Sequence, residues 1–371
     1  MSGIEPIVMP KWGLAMQEGL LAEWHVAEGA TLTKGQEVAD IETSKIANVF
    51  ESPVGGTLRR LVAGPGDTLP VGALLAVVAD ASVDDAAIDA FVGDFQARFA
   101  ADAESAAPPP EPATIEAGGR RLRYLEAGEG DGVPVLFLHG FGGDYLSWMF
   151  NQDALAEGRK AYALDLPGHG GSSKEVGEDL RDLKGAVVAF MDAKGIEKAH
   201  LVGHSMGGAV SLLMAREDAA RVASLALVAS GGLGEAINGA YLDGFIKETR
   251  GKKLRAVLEQ LVADPSMITG EMVDEVVRFK RLDGADAALR KVRAALAEGD
   301  RQRGPLRGVL DGLGVPVLVV WGEKDRILPV EQSEGLPDGV KVLRLPDAGH
   351  LPHMERAAEV NEAIKAHLAG A

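Results

Sequence analysis

Ser205, Asp325 and His350 are the residues whose types and settings could carry covalent chemistry. Ser205 stands in Gly203-His204-Ser205-Met206-Gly207, after the apolar run 199–202 and before a helix-like stretch. A serine hydroxyl becomes a nucleophile when a neighbouring base takes its proton. A sharp strand–turn–helix corner would hold that hydroxyl outward, and glycine at both flanks relieves the crowding of such a turn. The helix N-terminus would then set the Met206 amide near a developing oxyanion. A second donor is expected from His139-Gly140-Phe141-Gly142-Gly143, after the run 133–138, with the Phe141 amide as candidate. Trp321-Gly322-Glu323-Lys324-Asp325 follows a late apolar strand and supplies an acid, Asp325 or its rival Glu323. Ala348-Gly349-His350-Leu351-Pro352 follows the last strand and supplies a base, His350 or its rival His353. Nucleophile, base and acid together are the equipment of acyl transfer.

A second chemical feature lies near the start of the chain. Glu42-Thr43-Ser44-Lys45 separates two stretches of strand character, so its polar residues should form a hairpin tip with Lys45 held into solvent. A lysine on a turn is commonly a solvated charge. This setting resembles the lipoyl domain, through Glu42-Thr43-Ser44-Lys45, Met9-Pro10, Glu18-Gly19 and Glu51-Ser52-Pro53-Val54-Gly55-Gly56. Ser44 and Ile46 depart from the Asp and Ala common beside the modified lysine, yet neither is the Met that flanks a biotinyl lysine. The resemblance implies lipoate on Lys45.

These residues need elements to position them. Residues 1–80 read as short strands and turns, an all-β module. Glu28-Gly29-Ala30-Thr31 and Pro65-Gly66-Asp67-Thr68 each lead through a second Gly turn into an apolar strand, at an offset of 37 residues. That spacing predicts two similar halves. Residues 81–113 read as a linker. Ile88, Phe91, Val92, Phe95 and Phe99 fall on one helical face, and Ala106-Ala107-Pro108-Pro109-Pro110-Glu111-Pro112 is a stiff tether. The helix could dock a partner enzyme or pack on a neighbouring domain. Residues 114–371 alternate apolar runs with helical stretches, which predicts a doubly wound α/β sheet. Residues 233–310 interrupt it with helix-like sequence and no clear strand, read as a helical cap. Within the cap, Lys247, Arg250, Lys252, Lys253 and Arg255 form a basic cluster that fits either phosphate groups or a solvated helix face.

The order Ser205, Asp325, His350 is that of the α/β-hydrolase family, which residues 115–371 resemble, Asp165-Leu166-Pro167-Gly168-His169-Gly170 included. The resemblance favours Asp325 over Glu323 and implies an oxyanion hole at Phe141 and Met206. His139 is expected to brace its loop; His169, His200, His204 and the exposed-looking His25 and His367 carry no argued role. A lipoyl-type domain tethered to a serine acyl-transfer site resembles the acyltransferase component of bacterial acetoin dehydrogenase systems. No His-x-x-x-Asp-Gly motif of the usual acyltransferase domain occurs. The resemblance implies acetyl transfer from S-acetyldihydrolipoyl-Lys45 to coenzyme A. It also implies a thiamine-diphosphate-dependent acetoin dehydrogenase component and dihydrolipoamide dehydrogenase as partners, in a homo-oligomer. The alternative is a serine hydrolase of ester, thioester or C–C bonds, tethered to a lipoyl domain.

Composition sets the outer bounds. The 371 residues carry 55 acidic and 38 basic side chains, a net charge of −17, which argues against nucleic acid or an anionic membrane as partner. Cysteine is absent, which excludes disulfides, thiolate zinc sites and a cysteine nucleophile. A His350/His353 metal pair lacks a third ligand, and Tyr145 breaks any dinucleotide fingerprint at Gly140-Phe141-Gly142, so no metal is expected. Residues 1–16 have no continuous apolar block and no run approaches a spanning helix, so a cytoplasmic protein is expected.

Overall fold

The computed structural model describes residues 3–10, 18–42, 47–105 and 111–370. The chain divides into two compact units, Met1–Pro109 and Pro110–Ala371.

The first unit holds eight strands: β1 (Ile4–Val8), β2 (Glu18–Trp24), β3 (Thr31–Leu32), β4 (Glu37–Glu42), β5 (Ala47–Glu51), β6 (Gly56–Leu61), β7 (Thr68–Pro70) and β8 (Leu74–Ala79). They form two four-stranded sheets, β1-β8-β6-β3 and β5-β4-β2-β7. Advancing every strand of one sheet by four positions gives the other, so the two halves are structurally equivalent. The 37-residue offset holds in detail: β3 and β7 begin at Thr31 and Thr68, and β4 and β8 span Glu37–Glu42 and Leu74–Ala79. Gly29 and Gly66, at φ 89° and 92°, make the matching turns in a left-handed conformation that glycine adopts freely. Ile7, Leu21, Val38, Ile41, Leu58 and Leu75 meet between the sheets. β4 and β5 pair antiparallel from Glu37 with Glu51 to Glu42 with Ala47.

Helix α1 (Asp85–Ser105) accounts for most of the expected linker. Its apolar face is occupied. Ile88 is fully buried with Ile4, Leu74, Val77 and Ala79, and Phe91, Val92 and Phe95 pack against the same cluster. Arg59 reaches Asp85 at 2.7 Å and Arg60 reaches Asp89 at 2.5 Å, fixing the first turns. The face read as a possible dock for a partner enzyme therefore covers β8 of its own unit.

The second unit is built on one eight-stranded sheet. Its strands are β9 (Ala113–Ala117), β10 (Arg120–Ala127), β11 (Gly132–Leu138), β12 (Arg159–Leu164), β13 (Ala199–His204) and β14 (Val222–Val228), then β17 (Val317–Gly322) and β18 (Lys341–Leu345), in the order β18-β17-β14-β13-β11-β12-β10-β9. All pairs from β12 to β18 are parallel; β10 joins β12 and β9 antiparallel. Both faces are covered, so these strands are apolar on both sides. Leu136 and Leu138 face one core with helices α2 (Leu180–Ala193) and α3 (Met206–Glu217). Val135 and Phe137 face the other, with Val360, Ile364 and Leu368.

Between β14 and β17 lie four cap helices, α4 (Gly239–Lys247), α5 (Gly251–Leu258), α6 (Gly270–Lys280) and α7 (Ala285–Leu296). Asn238 caps α4 through the Tyr241 amide and Thr269 caps α6 through the Met272 amide. The stretch read as free of strands contains one hairpin, β15 (Ala297–Glu298) with β16 (Arg301–Gln302). Two residues per strand leave no periodicity to read. A short helix α8 (Pro352–Glu355) and the longer α9 (Ala357–Ala369) end the unit. Because the central strands run parallel, the segments following β11, β13, β17 and β18 emerge on one edge of the sheet.

The buried contact of α1 gives a test. Ile88→Asp places a carboxylate among Ile4, Leu74 and Val77, at a cost of about 3 kcal/mol. Hydrogen exchange of the full chain should show lost amide protection across residues 85–99, with β11, β13 and β14 still protected.

Candidate active site

Ser205 sits between the end of β13 and the start of α3 with φ 51° and ψ −113°. This conformation is strained for a side-chain-bearing residue. Its backbone is fully engaged. The Ser205 N–H donates to Val228 O at 3.0 Å, and its carbonyl accepts from Gly208 at 3.0 Å and Gly231 at 2.9 Å. The two flanking glycines are sterically required. A Cβ on Gly203 would lie 2.5 Å from Gly207 O and 2.6 Å from Ser211 Oγ; one on Gly207 would overlap the Leu138 carbonyl. The local sequence thus permits one tight corner, and the serine occupies it.

Asp325 and His350 meet. Asp325 Oδ2 accepts from His350 Nδ1 at 2.8 Å, while Oδ1 accepts the amides of Ile327 (2.8 Å) and Leu328 (3.0 Å). Their side chains are 0% and 3% exposed. With Nδ1–H committed to the carboxylate, Nε2 is the free nitrogen for proton transfer. Glu323 is exposed and His353 is buried elsewhere, against Trp148 and His204. Residue His204 fastens the serine corner to the histidine loop: its Nε2–H donates to His350 O at 2.8 Å.

The segment after β11 lies against this corner, since a Cβ on Gly140 would stand 3.2 Å from Ser205 Cβ. Among the described residues, the amides of Phe141 and Met206 donate to no protein acceptor. His139 braces the loop, donating from Nδ1 to Gly140 O (2.7 Å) and accepting at Nε2 from the Leu166 amide (3.0 Å). Buried Asp165 accepts from Tyr145 N (2.8 Å), Gly171 N (2.7 Å) and Arg123 Nε (2.5 Å). Lys45 lies outside the described residues; the paired Glu42 and Ala47 stand on either side of it in sequence. Among the described residues, no His, Asp or Glu cluster could hold a metal ion, and no helix is long and apolar enough to cross a membrane.

Sequence reasoning missed Glu355. One carboxylate oxygen accepts the amides of Gly349 (2.8 Å) and Leu351 (3.2 Å), on either side of His350. The other accepts the Ala263 amide of the cap at 2.7 Å. Burial, with the Asp325 charge nearby, pushes this carboxyl above its usual range despite those three donors. The His350 amide in turn donates to Leu261 O at 2.7 Å. Five residues after His350, a Glu looks like helix surface; its cap partner lies 92 residues away. His367, read as exposed, is 2% exposed, because α9 packs that side against the sheet.

Burial pushes the imidazole of His353 down to about 3, aided by nearby His350, and that of His204 well below its ordinary value, aided by His353 and His350. Both are held neutral. Below about pH 6.5 the unfolded chain binds protons that these native groups refuse, so stability is full above that pH and falls as pH drops toward the native values. Each group should contribute about 1.4 kcal/mol per pH unit across that window. His353→Gln should flatten the fall between pH 6.5 and 4 by about one proton's worth, read from urea midpoints across that range.

Residues 133–357, more than half of the chain, match the family model for the alpha/beta hydrolase fold. Residues 5–78 match the biotin/lipoyl model described as "Biotin-requiring enzyme". The dihydrolipoyllysine-residue acetyltransferase component of the acetoin cleaving system of Pseudomonas putida is 50% identical over 370 residues, covering 99% of each chain. Its namesake in Cupriavidus necator is 46% identical, covering 99% of this chain and 98% of that one. Among solved structures, the 2-hydroxy-6-oxo-6-phenylhexa-2,4-dienoate hydrolase of Rhodococcus sp. strain RHA1 aligns at 26% identity and TM-score 0.63, over 70% of this chain and 99% of that one. By full-length similarity and by both folds, the chain belongs to the dihydrolipoyllysine-residue acetyltransferase components of acetoin-cleaving systems.

Proposed function

We propose that Ser205, His350 and Asp325 move an acetyl group from a thioester on lipoyl-Lys45 to coenzyme A. The observation that carries the reading is the Asp325–His350 hydrogen bond fastened through His204 to the strained Ser205 corner. In this reading residues 1–80 carry the acyl group, 81–113 connect, and 114–371 transfer it beneath the cap of 233–310. Lipoate fits Lys45, since the paired Glu42 and Ala47 bring two strand ends together on either side of that lysine. When bound, the group supplies a thiol that carries the acetyl group on a long arm.

The chain's own residues do the rest. His350 Nε2 takes the Ser205 proton as Oγ attacks the thioester carbonyl. Asp325 holds the imidazole in the correct tautomer and stabilises its protonated form. The Phe141 and Met206 amides receive the oxyanion, each worth about 3 kcal/mol in comparable sites. As the C–S bond breaks, His350 returns the proton to the leaving sulfur. The acyl-serine is then attacked by the thiol of coenzyme A, whose proton passes to His350 and on to Ser205 Oγ as the C–O bond breaks. Water must be kept from the second step, since it would turn transfer into hydrolysis; the cap provides the cover. A tether raises the effective concentration of the carrier at the site. A thiamine-diphosphate-dependent acetoin-cleaving component would load the arm and dihydrolipoamide dehydrogenase would reoxidise it, with this chain as a homo-oligomer among them.

Ser205→Ala should lower acetyl transfer by at least about 10³-fold, and Asp325→Asn by about 10⁴-fold. Both should leave the mass of the lipoylated Lys45 peptide unchanged. Transfer is read as acetyl-CoA formed, and product formation in the parent protein should require coenzyme A. Acetate release without coenzyme A at the same rate would establish the hydrolase instead.

A further inference from the structure

The corner between α4 and α5 carries four cations with no ion-pair partner among the described residues. Lys247 closes α4, Arg250 precedes α5, and Lys252 and Lys253 occupy the first turn of α5; all four are exposed. Among the described residues none of them has an ion pair or a side-chain hydrogen bond. The fifth member of the cluster is committed, because Arg255 donates to Ile268 O and lies 4.0 Å from Glu259.

Nothing within the fold calls for these four charges. The carbonyls that end α4 attract cations, but Lys280 of α6 already serves them, donating to Phe245 O and Glu248 O. The start of α5 is the positive end of a helix and favours anions; it holds no acidic residue and no side-chain cap. The chain concentrates like charges where helix electrostatics disfavour them, in a protein of net charge −17. An external anion of high charge would relieve both conditions.

The helix that ends at this corner reaches the reaction centre through Phe245. Phe245, on α4 two residues before Lys247, is 1% exposed. Its ring lies directly over Gly142, where a Cβ would overlap it, and 5.5 Å from the Phe141 ring. Phe141 supplies a proposed oxyanion amide. Lys247 follows about 3 Å farther along the helix axis and, at 3.6 residues per turn, on the opposite, solvent-facing side of α4. The acceptor of the proposed reaction has its thiol at one end of a long flexible arm and its phosphates at the other.

We propose that Lys247, Arg250, Lys252 and Lys253 form the subsite for the nucleotide phosphates of coenzyme A. This rests on the acetyl-transfer reading for the choice of ligand. The subsite holds the phosphates at the rim while the thiol reaches Ser205, and it steers a polyanion toward a negatively charged protein.

The test compares coenzyme A with pantetheine, which carries the same thiol arm without the nucleotide phosphates. The full-length parent should favour coenzyme A in kcat/KM. In an Arg250→Ala, Lys252→Ala, Lys253→Ala variant that preference should fall about tenfold, and added salt should erode it in the parent but little in the variant. A preference unchanged by the substitutions, or equal losses with both thiols, would overturn the subsite; equal losses would place the cluster on the donor side. Binding of adenosine 3′,5′-bisphosphate to the full-length Ser205→Ala protein gives a readout independent of catalysis. It should weaken at least fivefold when the three substitutions are added, and no weakening would overturn the proposal. Cluster-dependent binding without transfer to either thiol in the parent would retain the phosphate subsite and reject the transfer reading.

Discussion

The close approach of α3 to the end of β11 is the constraint on which the active site depends. At Gly207 no side chain fits, because the Leu138 and His139 carbonyls stand where a Cβ would be. That approach forces the chain to turn sharply after β13, and Ser205 takes the positive φ that the turn demands. It also sets the N-terminus of α3 beside the segment that follows β11. The free amides of Met206 and Phe141 thereby come from two elements pressed together at one glycine. Strain at Ser205 persists because Val228, Gly208 and Gly231 saturate its backbone hydrogen bonds. The proposed nucleophile and its proposed oxyanion donors are consequences of a single packing contact.

The acid–base half is held differently, by the cap. Leu261 O takes the His350 amide, and Glu355 joins the Gly349 and Leu351 amides to that of Ala263. Arg326, next to Asp325, donates to Val262 O at 2.7 Å, and the Asn238 amide donates to Ile327 O at 2.8 Å. Both the acid loop and the histidine loop are therefore tied to residues 238 and 261–263. The cap is usually considered as a cover over substrate. Here its first helix and the segment after α5 also fix where His350 Nε2 can be. A displacement of this segment would disturb the His350 loop.

The sequence made the nucleophile corner legible because steric rules there are strict: two glycines around one serine, between an apolar run and a helix. The 37-residue offset was legible because Gly29 and Gly66 must both be left-handed. What escaped notice has physical reasons as well. β9 is the edge strand and β10 lies next to it, and Arg120, Arg121 and Arg123 hide the strand character of β10, Arg120 and Arg123 being taken up by ion pairs with Asp182 and Asp165. Glu355 acts through backbone amides, which leave no pattern in side-chain types. The α1 face is apolar in the sequence and buried in the structure, but periodicity says that a face is covered and not by what. Likewise the five-cation cluster read as one unit separates into Arg255, paired with the cap backbone, and four charges left over.

The missing cysteine belongs to the same logic. A serine–histidine site passing acetyl between two sulfur carriers is exposed to interception, because any nearby protein thiolate would accept the acyl group or exchange with a dithiol arm. These 371 residues offer no such thiol. In the proposed mechanism an oxygen nucleophile is the complementary choice: an acyl-serine ester would be less activated than the thioester it replaces, and its turnover would depend on His350 and the Phe141 and Met206 amides rather than on intrinsic reactivity. Direction is then set by which thiol occupies the site. That makes recognition of the acceptor, at a distance from the reacting atoms, the natural place for control. A cluster of cations at the corner between α5 and the helix that carries Phe245 onto the Gly142 loop is where such recognition would act with least disturbance to the chemistry.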